Sequence, residues 1–248
     1  MHRFKVEPCS IHDGCVTLTG EDLKHLGQVL RLGAGDKIRV FDGSGMEYEA
    51  KLVSITRERA TAEIEDSFRP GTEPGVRVTL FQGLPKGEKM DLIVQKTVEL
   101  GVYRIIPVIT QRSVVQLGSK DRAKKAQRWS KIAKEASKQC GRAYVPQVLA
   151  PLDFNEAFSL LGGYGSVLLL YENEQKKCLK EVLKCYTINK ISDIALFVGP
   201  EGGFSEREVE KFLSLGYDVA GLGKRILRTE TAAISVLSII MYELDELQ

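Results

Sequence analysis

The sequence predicts an α/β protein in two parts, a small β-barrel followed by a mostly parallel sheet with helices on both faces. Three observations predict it. Residues 1–70 hold short, partly alternating strands separated by turn residues. The segment Ser67-Phe68-Arg69-Pro70-Gly71-Thr72-Glu73-Pro74-Gly75 then breaks the pattern with two Pro-Gly pairs. Beyond it, short apolar runs alternate with helical stretches to the end of the chain, the rhythm of a parallel sheet wound by crossover helices.

In the first part, strands are expected over 16–19, 37–41, 47–55 and 60–64. Gly33-Ala34-Gly35-Asp36 and Asp42-Gly43-Ser44-Gly45 supply turn chemistry between them. One helix is expected over 21–30, with Thr19 or Gly20 before it and Gly33 after it. Several short strands at close spacing predict a small barrel. In the second part, strands are expected over 76–82, 105–109, 167–171, 194–198 and 217–221. Helices are expected over 88–100, 121–139, 153–161, 175–184, 206–215 and 230–246.

Composition narrows the class. Of 248 residues 43% are hydrophobic and 27% charged, as in globular proteins. No apolar run approaches the roughly 18 residues that span a bilayer, and MHRFKVEPC lacks the apolar core of a signal peptide. A cytoplasmic protein with no membrane partner is expected. Cys9, Cys15, Cys140, Cys178 and Cys185 show no Cys-x-x-Cys spacing, and His2, His12 and His25 lie near the start, so no metal site is expected.

The net charge of +2 hides an uneven distribution. Residues 1–75 carry ten basic and thirteen acidic side chains, residues 76–150 fifteen and five, and residues 151–248 ten and fifteen. The basic middle points to a polyanion. Arg112 follows one of its strands. Its helix holds Arg122, Lys124, Lys125, Arg128, Lys131, Lys134 and Lys138. Positions 124, 128 and 131 share one helical face, a stripe able to track phosphates; a merely solvated face is the alternative. Trp129 is expected on the buried side.

The last fifty residues carry the chemistry. Strand 194–198 runs into Gly199-Pro200-Glu201-Gly202-Gly203-Phe204, and Ser205 with Glu208 forms a capping box for the next helix. The following strand ends in Gly221-Leu222-Gly223-Lys224-Arg225-Ile226-Leu227-Arg228. Thr229-Glu230-Thr231-Ala232 then opens a helix with either threonine as cap. Glycine-bearing loops at the ends of successive strands suit a cofactor cleft; tight turns without a ligand are the alternative. Neither a P-loop nor a Gly-x-Gly-x-x-Gly turn is present.

GPEGGFSEREVE followed by GLGKRILRTETAA closely resembles the SPOUT class of S-adenosylmethionine-dependent RNA methyltransferases. Within that class the similarity is to the ribosomal RNA small subunit methyltransferase E family, which makes N3-methyluridine in 16S rRNA. The resemblance spans the chain. His25-Leu26-Gly27-Gln28-Val29-Leu30-Arg31-Leu32 with Phe41-Asp42-Gly43 is similar to its PUA-like barrel. Lys86-Gly87-Glu88-Lys89-Met90, Gln95-Lys96-Thr97-Val98-Glu99-Leu100-Gly101-Val102 and Gln139-Cys140-Gly141-Arg142 resemble its central elements.

The resemblance implies an RNA-binding barrel over 1–72 and a SPOUT domain over 73–248 with a C-terminal trefoil knot, which topology rules alone argue against. It implies a homodimer acting on 16S rRNA or the small ribosomal subunit. Leu170, Gly199, Gly203, Leu222, Gly223, Ile226, Leu227, Thr231 and Ala232 are the implied S-adenosylmethionine residues, with core packing the alternative for Ile226 and Leu227. Arg225 and Arg228 are candidates to stabilise the uracil anion or to grip phosphate. Glu201 and Glu230 are candidate bases, or else loop and helix-terminus residues. Arg3, Arg31, Arg112, Lys124, Arg128 and Arg142 are the candidate RNA contacts, Arg39 extending the barrel's patch. A base within folded RNA would have to be everted to react. A SPOUT enzyme for another RNA such as tRNA, and a non-catalytic ribosome-assembly factor, are the alternatives.

Overall fold

The computed structural model describes residues 1–113 and 117–247. The chain forms two compact units, one of residues 1–73 with 137–145, the other of 74–136 with 146–248.

In the first unit, β1 (His2–Lys5), β2 (Ile11–His12), β3 (Cys15–Leu18), β4 (Lys37–Phe41), β5 (Glu47–Ile55) and β6 (Ala60–Phe68) form one sheet in the order β1-β4-β5-β6-β3-β2. Only β1 and β4 pair in parallel. Period-two alternation sends Ile38 and Val40, Ala50 and Leu52, and Ala60 and Ala62 into one apolar core. Leu23 of α1 (Gly20–Lys24) and Leu26 of the π-turn after it also enter that core. β1 escaped the sequence pattern because Phe4 is its one fully inward residue.

Segment 137–145 is bound into this unit by an Arg142–Glu73 ion pair and by hydrogen bonds from Arg3. Arg3 lies over the Phe41 ring at 4.1 Å and donates to Glu47 at 2.9 Å. It also donates to the carbonyls of Ser137 at 3.3 Å and Arg142 at 2.9 Å. Arg142 grips Glu73 through two nitrogens, at 3.0 and 2.7 Å.

In the second unit the continuous apolar runs become strands buried on both faces: β7 (Arg77–Gly83), β8 (Arg104–Ile109), β11 (Ser166–Leu170) and β12 (Asp193–Val198). The two-residue β9 (Gln147–Val148) and β10 (Leu152–Asp153) and the short β13 (Asp218–Ala220) complete the sheet. The order is β10-β8-β7-β12-β11-β13, with β9 also on β8, and every pairing is parallel.

Alternation splits each run between two cores. Leu80, Leu168, Leu170, Leu196 and Val198 face one, and Phe81, Val167, Leu169 and Phe197 the other. The first is covered by α2 (Lys89–Glu99), α3 (Ser119–Cys140), α5 (Leu179–Ile188) and α7 (Thr229–Glu243). The second is covered by α4 (Phe154–Ser159) and α6 (Glu206–Ser214). Phe81 and Phe197, in register on adjacent strands, stack at 4.3 Å.

One helix starts later than its periodicity suggests. Helix 175–184 becomes Leu179–Ile188 because the Glu174 carboxylate accepts the N–H groups of Lys176 and Lys177, at 2.6 and 3.1 Å. Those donors bend the segment into a turn and hold Glu174 below the usual carboxylate range. No described helix is long and apolar enough to cross a membrane.

Candidate active site

The parallel register brings the C-terminal ends of β7, β12, β11 and β13 to one edge, with Gln82 opposite Val198 and Leu170 opposite Ala220. That edge is where α/β sheets place their ligands, and the two glycine-bearing loops leave from it.

The first loop is packed against its neighbours. Gly203 has φ +66°, which favours glycine, and a Cβ there would lie 2.2 Å from Glu172 Oε1 and displace that carboxylate. Phe204 anchors the loop in the second core. The capping box forms as the spacing predicts: Ser205 Oγ accepts the Glu208 N–H at 3.3 Å, and Glu208 Oε2 accepts the Ser205 N–H at 2.8 Å. Glu208 also accepts the Gln111 N–H at 2.9 Å. Arg112, an expected RNA contact, donates to the Gly202 carbonyl at 3.3 Å.

The second loop is open. Gly223 has φ +97°, and among the described residues nothing beyond its own chain neighbours lies within 4 Å of where its Cβ would be. Ile226 is 85% exposed, so the core-packing alternative fails for it. Leu222 and Leu227 do pack against the first core, and Leu170 and Ala232 are buried in it. Thr231 is exposed. Arg225 and Arg228 are exposed and make no ion pair or side-chain hydrogen bond with the described residues.

The helix start differs from the expected threonine cap. Arg228 occupies the N-cap through its backbone, accepting the Ala232 N–H at 2.8 Å, and Thr229 is the first helical residue. The Thr229 hydroxyl is engaged elsewhere, donating to the Gly199 carbonyl at 2.6 Å and accepting from Gln82 Nε2 at 2.9 Å.

The two candidate bases meet at Lys89 of the Lys86-Gly87-Glu88-Lys89-Met90 segment. Lys89 Nζ is 2.7 Å from Glu201 Oε1 and 3.8 Å from Glu230 Oε2. Glu201 also accepts the Lys86 N–H at 3.2 and 3.3 Å. Burial alone would raise the Glu201 carboxyl, but the Lys89 hydrogen bond, backbone donors and the Lys89 charge outweigh it and hold the group low. The Glu230 oxygen is buried and has no hydrogen-bond donor among the described residues.

The other RNA candidates are dispersed. Lys124 and Arg128 lie on the exposed face of α3 beside a cleft of about 150 Å³, lined also by Gly87, Asp91, Lys125 and Trp129. Arg128 hydrogen-bonds Asp91 and Glu88. Arg31 is exposed in the first unit. Arg3 and Arg142 are instead committed to the buried pairs described above, and Arg39 to Glu49 at 2.7 Å. No described cluster of His, Cys, Asp and Glu has the arrangement of a metal site.

Comparison with known proteins defines the class. Residues 18–65 match the RNA methyltransferase PUA domain and residues 72–241 the RNA methyltransferase domain. The chain is thus built as an RNA methyltransferase with an N-terminal PUA domain. It is 35% identical over 234 residues to the ribosomal RNA small subunit methyltransferase E of Bacillus subtilis, covering 94% of this chain and 91% of that one. The Synechocystis protein of the same name is 34% identical over 238 residues, covering 96% and 76%.

A crystal structure of the Neisseria gonorrhoeae methyltransferase E bound to S-adenosyl methionine superposes with a TM-score of 0.84 at 34% identity, over 98% and 97% of the chains. A putative methyltransferase from Legionella pneumophila, also in complex with that cofactor, gives 0.82 at 32% identity over 97% and 96%. The chain belongs to the ribosomal RNA small subunit methyltransferase E family.

Proposed function

We propose that this protein uses S-adenosylmethionine to methylate N3 of a uridine in the 16S rRNA of the small ribosomal subunit. The observation that carries the reading is the meeting, at one sheet edge, of an open loop, two arginines unpaired among the described residues and a carboxylate oxygen with no donor among them.

The residues present fit the cofactor. Gly223 leaves backbone open to a ligand, and Leu170, Leu222, Ile226 and Leu227 supply apolar surface for an adenosyl group. Gly199 and Gly203 shape the adjoining loop, and Thr231 and Ala232 complete the first turn of α7. When bound, S-adenosylmethionine supplies an electrophilic methyl group on a sulfonium.

Uracil N3 is a poor nucleophile while protonated, so the protein must remove that proton and stabilise the resulting anion. Glu230, whose carboxylate carries an oxygen with no hydrogen-bond donor among the described residues, takes the proton. Arg225 and Arg228 balance the charge spread over O2, N3 and O4. Glu201, already engaged by Lys86 and Lys89, acts as the clamp on its loop.

The exposed face of α3 guides the RNA, with Arg112 and, on the barrel, Arg31 as further contacts. Removing Lys124 and Lys131 together is expected to flatten the slope of log affinity against log salt by roughly 0.7–0.9 per lost phosphate contact. Filter binding across a salt series reads this directly; an unchanged slope would make α3 a solvated face.

α7 is apolar nearly all round, and its Ile239 and Tyr242, with Leu92 of the adjacent α2, remain exposed. A second copy of the chain covers this surface in our reading. The return of the chain from β13, at the sheet's edge, to α7 packed on α2, β7 and β12 supports a knotted C-terminal segment. The protein works in the cytoplasm on assembled or naked rRNA.

The test is transfer of label from methyl-tritiated S-adenosylmethionine to unmodified small subunits, followed by nucleoside analysis. Labelled N3-methyluridine is expected. Label in another nucleoside, or only in tRNA, would overturn the assignment of substrate, and no transfer would favour a non-catalytic assembly factor.

A further inference from the structure

Gln82 is a fully buried amide in an otherwise apolar stretch of β7. Its environment fixes which way the amide points. Nε2 lies 2.9 Å from the Gly83 carbonyl and 2.9 Å from Thr229 Oγ1. A carbonyl can only accept, so the NH₂ end must face it, and the same NH₂ donates to Thr229. The one proton on Thr229 Oγ1 is then committed to the Gly199 carbonyl at 2.6 Å. The relay has one direction: Gln82 to Thr229 to Gly199.

Backbone packing explains why a relay is needed. A Cβ on Gly83 would lie 2.4 Å from Pro200 Cδ and 2.5 Å from Pro200 N, so the end of β7 and the start of the 199–203 loop abut with no room for a side chain between them. Among the described residues, the Gln82 side chain is linked to the loop through Thr229. The arrangement also leaves Gln82 Oε1 buried without a donor among the described residues, a cost that an apolar residue here would avoid.

We propose that Gln82 and Thr229 are positioning residues that lock the Gly199 carbonyl, and with it the 199–203 loop, in the shape that receives S-adenosylmethionine. This rests on the cofactor reading above and adds to it Gln82, which no motif marks, and a role for Thr229 other than the helix cap. The Gly199 carbonyl accepts the Thr229 hydroxyl, which fixes the course of the backbone at the cofactor site.

The test is calorimetric titration of S-adenosylmethionine into the full-length protein and its Gln82→Met, Thr229→Val and Thr229→Ser variants, each checked for folding by thermal unfolding. Met and Val are expected to weaken cofactor binding roughly tenfold or more, while Ser, which keeps the hydroxyl, stays within about threefold. In turnover, KM for the cofactor should rise more than kcat falls, and affinity for an rRNA fragment should not change. The double variant should lose no more than the worse single one, because both act through one relay.

Wild-type affinity in folded Gln82→Met and Thr229→Val would overturn the relay alone, as would equal losses in Thr229→Val and Thr229→Ser. A wild-type protein that binds no cofactor would overturn the cofactor reading and the relay together. If Gln82→Met does not fold, the Val and Ser pair at Thr229 decides the matter, since Val keeps the shape of threonine without its hydroxyl and Ser keeps the hydroxyl without the methyl.

Discussion

Replacing Glu230 by glutamine is expected to slow methyl transfer by roughly 10²–10⁴-fold, the usual contribution of a positioned base, with cofactor affinity nearly unchanged. Glutamine keeps the size of the side chain and its ability to hydrogen-bond but cannot accept the proton. Glu230 is chosen over Glu201 because of what already surrounds each group. Glu201 receives the Lys86 N–H and the Lys89 ammonium, which stabilise its charged form and occupy its oxygens. Glu230 faces Lys89 at 3.8 Å, and the oxygen on that side has no hydrogen-bond donor among the described residues. Glu201→Gln should therefore weaken cofactor binding by loosening its loop, with a smaller loss of rate at saturating cofactor. Single-turnover assays on unmodified small subunits separate the two. A Glu230→Gln enzyme that retains the wild-type rate would return the base role to Glu201 or to solvent.

Arg228→Ala is expected to reduce transfer by roughly 10²–10³-fold, the cost of removing one stabiliser of developing charge, while cofactor affinity changes little. The fold should tolerate the change, because Arg228 caps α7 through its backbone carbonyl and its side chain has no partner among the described residues to leave unpaired. Arg228→Lys should recover only part of the activity, since a point charge does not reproduce a planar donor fork. Calorimetry with the cofactor, run beside the activity assay, distinguishes the outcomes. A parallel loss of cofactor binding would place Arg228 in the wall of the cofactor site.

What the sequence disclosed about the fold was whatever rests on periodicity and local turn chemistry. Apolar runs long enough to be buried on both faces announced the parallel sheet, and the spacing of Ser205 and Glu208 announced a helix start that forms as expected. Strands of two residues, β9 and β10, carry no period and exist only through pairing with β8. Charge was legible in bulk but not in use. Arg122, Arg128 and Arg142 all add to the basic middle, yet each is paired with a carboxylate. The loops of the site were visible as glycine clusters, but their purpose was not uniform: Gly203 makes room for Glu172, and Gly223 is the one left open. Lys89 and Gln82 were out of reach because their partners lie 112 and 147 residues away.

The first unit is not a continuous stretch of chain, since it includes 137–145 as well as 1–73. A single cut after residue 73 would strip Glu73 of Arg142 and deprive Arg3 of two carbonyl partners. The unit is therefore not a module that recombination can exchange by one crossover. A chimera of two relatives that swaps the first 73 residues has to carry the donor's 137–145 with them, or the ion pairs of the junction must have drifted together in both lineages.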